Sequence, residues 1–183
     1  MRALHVTLLL VPFLLSGAVA PPPPVAERAG GESQCAAAET ILYSCRFPRA
    51  VGSVCASKTA VHYRYGPANR PAIDLATDGK WSNIHLGTIT GGGGGRQDSI
   101  RFTAGRYHYI VFKGVGGQYT ETPGKTWSGI HVSLDGKDVS TLQCPGTATV
   151  AGDWADSIYA AAPAPVRSGQ TLEDEDPRFL MWF

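Results

Sequence analysis

The sequence lacks the short motifs that mark the common catalytic and metal sites. It contains no H-E-x-x-H pair and no C-x-x-C pair, which removes the usual zinc sites from consideration. It contains no G-x-S-x-G segment, so the nucleophile turn of the α/β-hydrolases is missing. Acidic residues are few between residues 40 and 150, although a glycosidase needs a facing pair of carboxylates. We therefore expect a protein that is not an enzyme and that uses no metal or cofactor.

The sequence has one long hydrophobic stretch, and this stretch is too short to span a bilayer. Residues 6–15 are an apolar run, whereas a transmembrane helix needs about 20 apolar residues. Arg2 precedes the run and small residues follow it, which is the order of a secretory signal peptide. We predict a signal peptide over residues 1–20, cleaved after Ala20 or Ala18, and a mature chain without a transmembrane segment.

Composition divides the rest of the chain into three parts. Residues 21–34 open with four prolines and contain paired glycines, which is typical of an extended linker. Residues 35–150 carry the strand patterns and are predicted to form a β domain. Residues 151–183 are predicted to hold a short helix, with Asp153 as its N-cap, and an acidic and aromatic tail. We expect the apolar end of that tail, Phe179 to Phe183, to dock on the domain or on a partner.

Four cysteines are present, and an exported protein meets an oxidising compartment. We predict that Cys35, Cys45, Cys55 and Cys144 form two disulfides. Three pairings are possible. Because Pro48-Arg49 marks a turn between Cys45 and Cys55, we favour a bridge across that hairpin, which leaves Cys35 for Cys144.

Short alternating segments with turn residues between them dominate the chain from Thr40 onward. Ser99 to Thr103 alternates polar and apolar residues, Ala104-Gly105 supplies a turn, and Arg106 to Phe112 returns as a strand rich in aromatic and β-branched residues. No amphipathic helix separates the strands. We predict an all-β fold, a single antiparallel β-sandwich or small barrel with one short C-terminal helix and an extended tail. Histidines within strands are expected to make structural hydrogen bonds.

Asp135-Gly136 is the best short hairpin signal, because a type I′ turn needs positive φ at both central residues. A two-residue turn pairs Val132 with Val139, and it puts Leu142 on the face opposite Ile130. Either both faces of this hairpin are buried, or a bulge shifts the register. We expect both faces to be buried.

Five consecutive glycines precede the central hairpin. A phosphate-binding P-loop would continue with Gly-Lys-Ser/Thr, but Arg96-Gln97-Asp98 follows here, so nucleotide binding is not predicted. We predict instead a mobile surface loop that contacts a partner together with nearby arginines. The predicted recognition surface comprises Thr90, Gly91, Gly92, Gly93, Gly94, Gly95, Arg96, Arg101 and Arg106.

Charge is divided unevenly along the chain. Residues 40–150 carry twelve Lys and Arg against six Asp and Glu, whereas residues 151–183 carry two against six. The basic body indicates a surface for an anionic polymer, or a surface on which the acidic tail folds back. The simpler interpretation is solvated surface charge that aids solubility.

Several motifs recur in an order that resembles one protein family. They are Tyr43-Ser44-Cys45, Ser53-Val54-Cys55, His62-Tyr63-Arg64-Tyr65-Gly66, the glycine run, Ile100-Arg101-Phe102 and Tyr107 to Val111. On these motifs residues 40–144 resemble a family of uncharacterised small bacterial proteins that are secreted or periplasmic and contain cysteines. The resemblance implies an all-β fold and export, and it implies no activity.

The loop from Thr90 to Gly95 is also similar in position to the Ser-Gly-rich loop of bacterial periplasmic inhibitors of c-type lysozyme. Those proteins are small disulfide-bearing β-barrels whose loop enters the lysozyme cleft. Thr90 is the only hydroxyl residue in the loop here, and no lysine follows it directly. A basic body would also be repelled by a cationic lysozyme. This resemblance implies an alternative function, the blocking of a lysozyme cleft by the glycine-rich loop.

Our main prediction is a non-enzymatic binding or structural protein of the cell envelope, periplasmic or secreted. Its partner would be an envelope polymer or protein whose identity the sequence does not indicate. Nucleic acid is not expected as a partner, because aromatic and basic residues in an exported β protein are more often core and outer-face residues.

Overall fold

The computed structural model describes residues 33–168, together with Leu172 and Trp182. The predicted signal peptide, most of the predicted linker and most of the tail lie outside the described residues. No helix in the described part of the chain is long and apolar enough to cross a membrane.

Ten strands form two five-stranded antiparallel sheets. The strands are β1 (Thr40–Phe47), β2 (Ala50–Ala56), β3 (Val61–Gly66), β4 (Ile73–Ala76), β5 (Ile84–Thr90), β6 (Arg96–Ala104), β7 (Tyr107–Val115), β8 (Thr126–Leu134), β9 (Lys137–Gln143) and β10 (Thr149–Val150). Sheet 1 has the order β10-β1-β2-β3-β4, and sheet 2 has the order β5-β6-β7-β8-β9. The described strands do not close into a barrel, and the predicted β-sandwich is confirmed.

The core lies between the inner faces of the two sheets. On β6 the side chains of Ile100 and Phe102 are fully buried, and the Phe102 ring lies 5.8 Å from that of Tyr63 on sheet 1. At Gly52 a Cβ atom would overlap Ile130 of the other sheet, so the sheets are in close contact there. Burying each large apolar side chain stabilises the fold by roughly 1.5–3 kcal/mol.

The β8–β9 hairpin turns at Asp135-Gly136 as predicted, with φ of 51° and 73°. The expectation about its faces is wrong, because Val139 forms a bulge and the register shifts between Val132 and Ser133. Leu142 therefore pairs with Ile130 and contacts the core. Val139 is instead mostly exposed. The bulge leaves Val139 without a pairing partner on β8, and it returns the Leu142 side chain to the buried face.

The four cysteines form two disulfides, as predicted, but the pairing that we favoured is wrong. The turn after Phe47 places Gly52 opposite Cys45, so Cys55 lies three residues too far along β2 to reach it. Cys55 instead bonds to Cys35, which holds the segment before β1 on sheet 1. Cys45 bonds to Cys144, which follows β9, so this bridge joins the two sheets covalently.

In the described part of the chain, two short helices follow β10, namely α1 (Trp154–Ala161) and α2 (Ala164–Ser168). Asp153 caps α1 as predicted, since its carboxylate accepts hydrogen bonds from the amides of Ala155 and Asp156 at 2.9 and 3.3 Å. Trp154 and Ile158 are one turn apart and are both buried. The apolar side of α1 therefore contributes to the core.

Two tail residues contact the domain at separate places. The Leu172 carbonyl oxygen accepts a hydrogen bond from the Leu86 amide on the edge strand β5, at 2.5 Å, and the Leu172 side chain is fully buried. Trp182 lies against Trp127, with 5.8 Å between ring centroids. The expected docking of the apolar tail end is thus observed for Trp182, and the residues around it lie outside the described part of the chain.

Candidate functional site

The five glycines form a closed turn rather than an extended loop. The Gly91 amide donates to the Gly95 carbonyl oxygen at 2.7 Å, and Gly92–Gly94 form one turn of 3-10 helix. Gly93 and Gly94 have φ of 67° and 83°. This is a left-handed backbone conformation that residues with a Cβ atom avoid. The chain can make this turn because these two positions are glycine.

The glycine turn contacts the β7–β8 connection backbone to backbone. The Gln118 amide donates to the Gly93 carbonyl oxygen at 2.8 Å. A Cβ atom on Gly117 would overlap the Gly92 carbonyl oxygen. Neighbouring main chain thus contacts this turn, and the prediction that it is a mobile surface loop that contacts a partner stays a prediction. We call this end of sheet 2, residues 88–98 and 113–128, the glycine-loop end.

Alanine substitutions at two adjacent glycines separate backbone strain from steric overlap. At Gly94 a Cβ atom would meet nothing within 4 Å, whereas at Gly93 it would lie 2.7 Å from the Gln118 amide nitrogen. Both substitutions incur the left-handed penalty of roughly 1–2 kcal/mol. Gly93→Ala also crowds its neighbours, which costs about 1–3 kcal/mol more. We expect urea titrations to show a larger loss of unfolding free energy for Gly93→Ala, and equal losses would contradict the close contact.

Aromatic side chains surround the glycine turn. Tyr119 is 85% exposed and Trp182 is 46% exposed. A Cβ atom on Gly91 would contact the Trp182 ring at 3.2 Å, and one on Gly93 would contact the Tyr119 ring at 3.0 Å. Trp127 lies below Trp182, and its indole N–H donates to Gln97 Oε1 at 2.9 Å. The bare backbone of the turn thus lies between two partly exposed rings.

A larger cleft opens on the inner face of sheet 2 at the same end. Its volume is about 470 Å³, and the chain that crosses from β9 to β10 forms its opposite wall. The polar groups that line it are Arg96, Asp98, Lys113, Thr126, Ser128 and Thr147. Trp127 borders the cleft between Thr126 and Ser128, and its indole lies on the other face of the sheet, where it contacts Gln97. We call this cavity the Arg96 cleft. Its size is in the range of small-ligand sites.

The register of the sheet explains why these polar residues meet. Thr88 pairs with Asp98, Asp98 with Lys113, and Lys113 with Ser128, so one row of polar side chains crosses four strands. The adjacent row contains Arg96. Arg96 and Asp98 share a strand face with Ile100 and Phe102, because strand residues two apart point the same way. The apolar inner face therefore becomes polar at its glycine-loop end.

The charges in the cleft are partly paired. Arg96 Nε donates to Asp98 Oδ1 at 2.7 Å, and the Thr88 hydroxyl donates to the same oxygen at 2.9 Å. The Arg96 side chain is 54% exposed, and its two terminal nitrogens donate to no described residue. Lys113 Nζ donates to the Gly152 carbonyl oxygen at 2.9 Å and lies 4.6 Å from the centre of the Trp154 ring. A second cavity of about 260 Å³ adjoins these charged groups beside the start of α1.

The structure brings only part of the predicted recognition surface together. Thr90, the five glycines and Arg96 lie at the glycine-loop end. Arg101 lies on the opposite, outer face of β6, where it donates to the Thr103 hydroxyl at 3.1 Å. Arg106 lies in the turn at the far end of the β6–β7 hairpin and is paired with Asp135. Eight residue steps along β6 separate the two ends by roughly 26 Å, so the three arginines do not form one surface.

Lys113 and Ser128 were not among the sequence candidates. Each lies in a strand with no motif around it, and only the pairing between strands places it near Arg96. The sequence held one indication of the cleft. Alternate residues of β6 share a face, so Arg96 and Asp98 lie on the same face as the apolar Ile100 and Phe102. The register of β7 and β8 was needed for the rest.

A second cluster of charged groups lies on the outer face of sheet 1, and its contacts are structural. Arg64 is buried and donates to both carboxylate oxygens of Glu39 and to Asp74. It also donates to the Gln34 carbonyl oxygen. Ser33 and Gln34, which the sequence assigned to the linker, are buried here. The cluster thus holds the segment before β1 against the sheet.

The pKa values of this cluster follow from its pairing. Burial alone would raise the pKa of Glu39, but hydrogen bonds from Arg64 and the Ala36 amide and the Arg64 charge outweigh it, and the pKa is lowered. The pKa of Asp74 is lowered in the same way, against burial, by His62 and Arg64. The carboxylate of Glu39 also lies near the sulfurs of Cys35 and Cys55. Because these two sulfurs are bonded to each other, they are not available as metal ligands.

Three strand histidines make the hydrogen bonds expected of structural residues. His62 contacts Asp74 at 3.0 Å, and His108 contacts the Thr103 hydroxyl at 3.1 Å. His131 is buried and contacts the Thr141 hydroxyl at 2.7 Å. Burial lowers the pKa of His131, and the nearby Asp138 offsets part of that effect.

Comparisons of this chain with protein-family models, with curated proteins and with solved structures found no match. The two resemblances drawn from the sequence therefore stay predictions. What the site can do must be argued from its own residues.

Proposed function

We propose that this chain is an exported, non-enzymatic binding protein that acts in the cell envelope, and that it binds at the glycine-loop end. Two disulfides support a periplasmic or extracellular location, because such bonds persist in oxidising compartments. The proposal rests on a rigid sandwich that positions loops and strand ends, an arrangement on which binding sites are common.

One observation carries the proposal, namely the Arg96 cleft. Among the described residues, charged and hydroxyl groups converge there on one cavity of about 470 Å³. Convergent polar groups in a concave site are the usual mark of ligand binding. The exposed rings of Tyr119 and Trp182 lie beside the glycine turn at the same end of the sheet.

A matched pair of charge reversals tests the location of the binding end. Arg96 and Arg106 each pair with a nearby aspartate and are 54% and 74% exposed, but they lie at opposite ends of the hairpin. We expect Arg96→Glu to reduce co-sedimentation of the protein with insoluble envelope material at least tenfold at low salt, because the cleft loses its positive charge. Arg106→Glu should sediment like the unmodified protein.

An equal loss of co-sedimentation in both variants would indicate non-specific attraction by the basic body. Unchanged co-sedimentation of both variants would show that the cleft does not bind the envelope material. The alternative function, lysozyme inhibition, is tested with the same purified protein. In the same preparation, lysis of peptidoglycan by c-type lysozyme should proceed at the same rate with and without the protein. The closed glycine turn offers a lysozyme cleft no side chain, so we do not propose inhibition.

A further inference from the structure

We infer that the ligand of the Arg96 cleft is a saccharide that carries a carboxylate group. This inference rests on the proposed function and names its ligand class. It is built from the anion partner, the local charge, and the hydroxyl groups that line the cavity.

Arg96 is the group that would receive the carboxylate. Its Nε is engaged by Asp98, so the guanidinium is held at one position while its two terminal nitrogens donate to no described residue. Two parallel N–H groups match the two oxygens of a carboxylate. The Thr88 hydroxyl donates a second hydrogen bond to Asp98. This bond holds the Asp98 carboxylate in place.

The local charge favours a ligand that places one carboxylate in the cleft. Arg96 and Lys113 are positive and Asp98 is negative, which leaves one uncompensated positive charge in the cleft. Lys113 is held by the Gly152 carbonyl oxygen and the Trp154 ring, so it contributes charge from a fixed position. A phosphate monoester carries about −1.5 to −2 at neutral pH, which this site would neutralise only in part.

The rest of the lining suits a sugar ring. Thr126, Ser128 and Thr147 present hydroxyl groups that both donate and accept, as sugar hydroxyls do. The Tyr43 hydroxyl, beside Ser128, is fully buried and makes no hydrogen bond of normal geometry among the described residues. Burial raises the pKa of Tyr43 to about 12, with Ser128 offsetting part of the rise, so this hydroxyl stays neutral beside the cleft.

Titration with three ligands tests the inference. The probes are a short oligouronate, the same oligouronate with its carboxylates methyl-esterified, and a monosaccharide phosphate. Binding is followed by two-dimensional NMR of ¹⁵N-labelled full-length protein, with the backbone amide signals of Lys113 and Ser128, which line the cleft, as the local reporters. We expect the free oligouronate to shift these signals and to bind at least tenfold more tightly than its methyl ester and than the sugar phosphate.

Arg96→Gln should remove at least nine-tenths of the oligouronate affinity, while Arg106→Gln should leave it unchanged. Both side chains are largely exposed, and unchanged thermal unfolding would show that each variant is folded. Thr126→Val provides a second variant, which should weaken the oligouronate and its ester alike because it removes a hydroxyl contact and no charge.

The outcomes separate the ligand class from the proposed function. Equal affinity for the acid and its ester, or tighter binding of the sugar phosphate, overturns the carboxylate assignment. If the protein sediments with envelope material in an Arg96-dependent way but binds no oligouronate, the ligand class is wrong and the proposed function stands. If neither binding occurs, both are wrong.

Discussion

Removal of the Cys45–Cys144 disulfide by the double substitution Cys45→Ala and Cys144→Ala is expected to lower the free energy of unfolding by about 5 kcal/mol. The two cysteines are 99 residues apart, whereas Cys35 and Cys55 are 20 apart. A cross-link stabilises mainly by reducing the entropy of the unfolded chain, and this effect grows with the loop that it closes. The Cys35→Ala and Cys55→Ala variant should therefore lose less, about 3 kcal/mol.

The two double variants are compared by urea unfolding under the same oxidising conditions. Native domains are stable by only about 5–15 kcal/mol, so the Cys45/Cys144 variant is expected to lose between about a third and all of its stability. A larger loss for the Cys35/Cys55 variant would show that the bridge to the segment before β1 contributes more than loop entropy. It would also show that the covalent link between the sheets is the weaker constraint.

Substitution of Arg64 by methionine is expected to cost about 3–5 kcal/mol of stability, because it leaves the partly buried Glu39 carboxylate without its counter-charge. Glu39 accepts two hydrogen bonds from Arg64, and the two side chains are 9% and 7% exposed. The matched control is Arg64→Met combined with Glu39→Gln. This variant removes the unpaired charge and should recover part of the loss. Equal stability of the single and double variants would contradict the charge argument.

The pH dependence of stability gives this prediction a second measurement. The folded-state pKa of Glu39 lies below its ordinary value of 4.5 and that of Asp74 below 3.8. Their stabilising contribution is thus present above these ordinary values, and it is lost as the pH falls through the lowered folded-state values. Without Arg64, burial of Glu39 would raise its pKa, so the Arg64→Met variant should become more stable, relative to the unmodified protein, as the pH is lowered from 7 to 4. Thermal unfolding across this range measures the difference.

Features with a local cause were predictable from the sequence. The hairpin from Ser99 to Phe112 and the turn at Asp135-Gly136 depend on residues a few positions apart. The N-cap at Asp153 is also a local hydrogen-bond pattern. In each case alternation, turn chemistry or capping acts within a short stretch, and these effects agreed with the final fold.

Features that depend on pairing between distant strands were not predictable. Cys144 bonds to Cys45 only because the chain crosses between the sheets after β9. The bulge at Val139 is set by the need to bury Leu142, and the hairpin sequence alone permits either register. The Arg96 cleft likewise joins residues of β6, β7 and β8 whose only relation is their register. Of the predicted recognition surface, the glycines and Arg96 lie together at the glycine-loop end because they are neighbours in the sequence. Arg101 and Arg106 were grouped with them only by charge, and they lie elsewhere.

The bond between Cys45 and Cys144 also bears on when the protein can bind. Cys144 belongs to the wall of the Arg96 cleft, and its sulfur ties that wall to the opposite sheet. Before the proposed export, a newly made chain in a reducing cytoplasm would lack this tie. The wall would then be held by main-chain hydrogen bonds, from the Cys144 amide to Ser128 and between β10 and β1, without the cross-link. We expect affinity for the proposed ligand to appear only after thiol oxidation, so that a saccharide met before that step would not be captured.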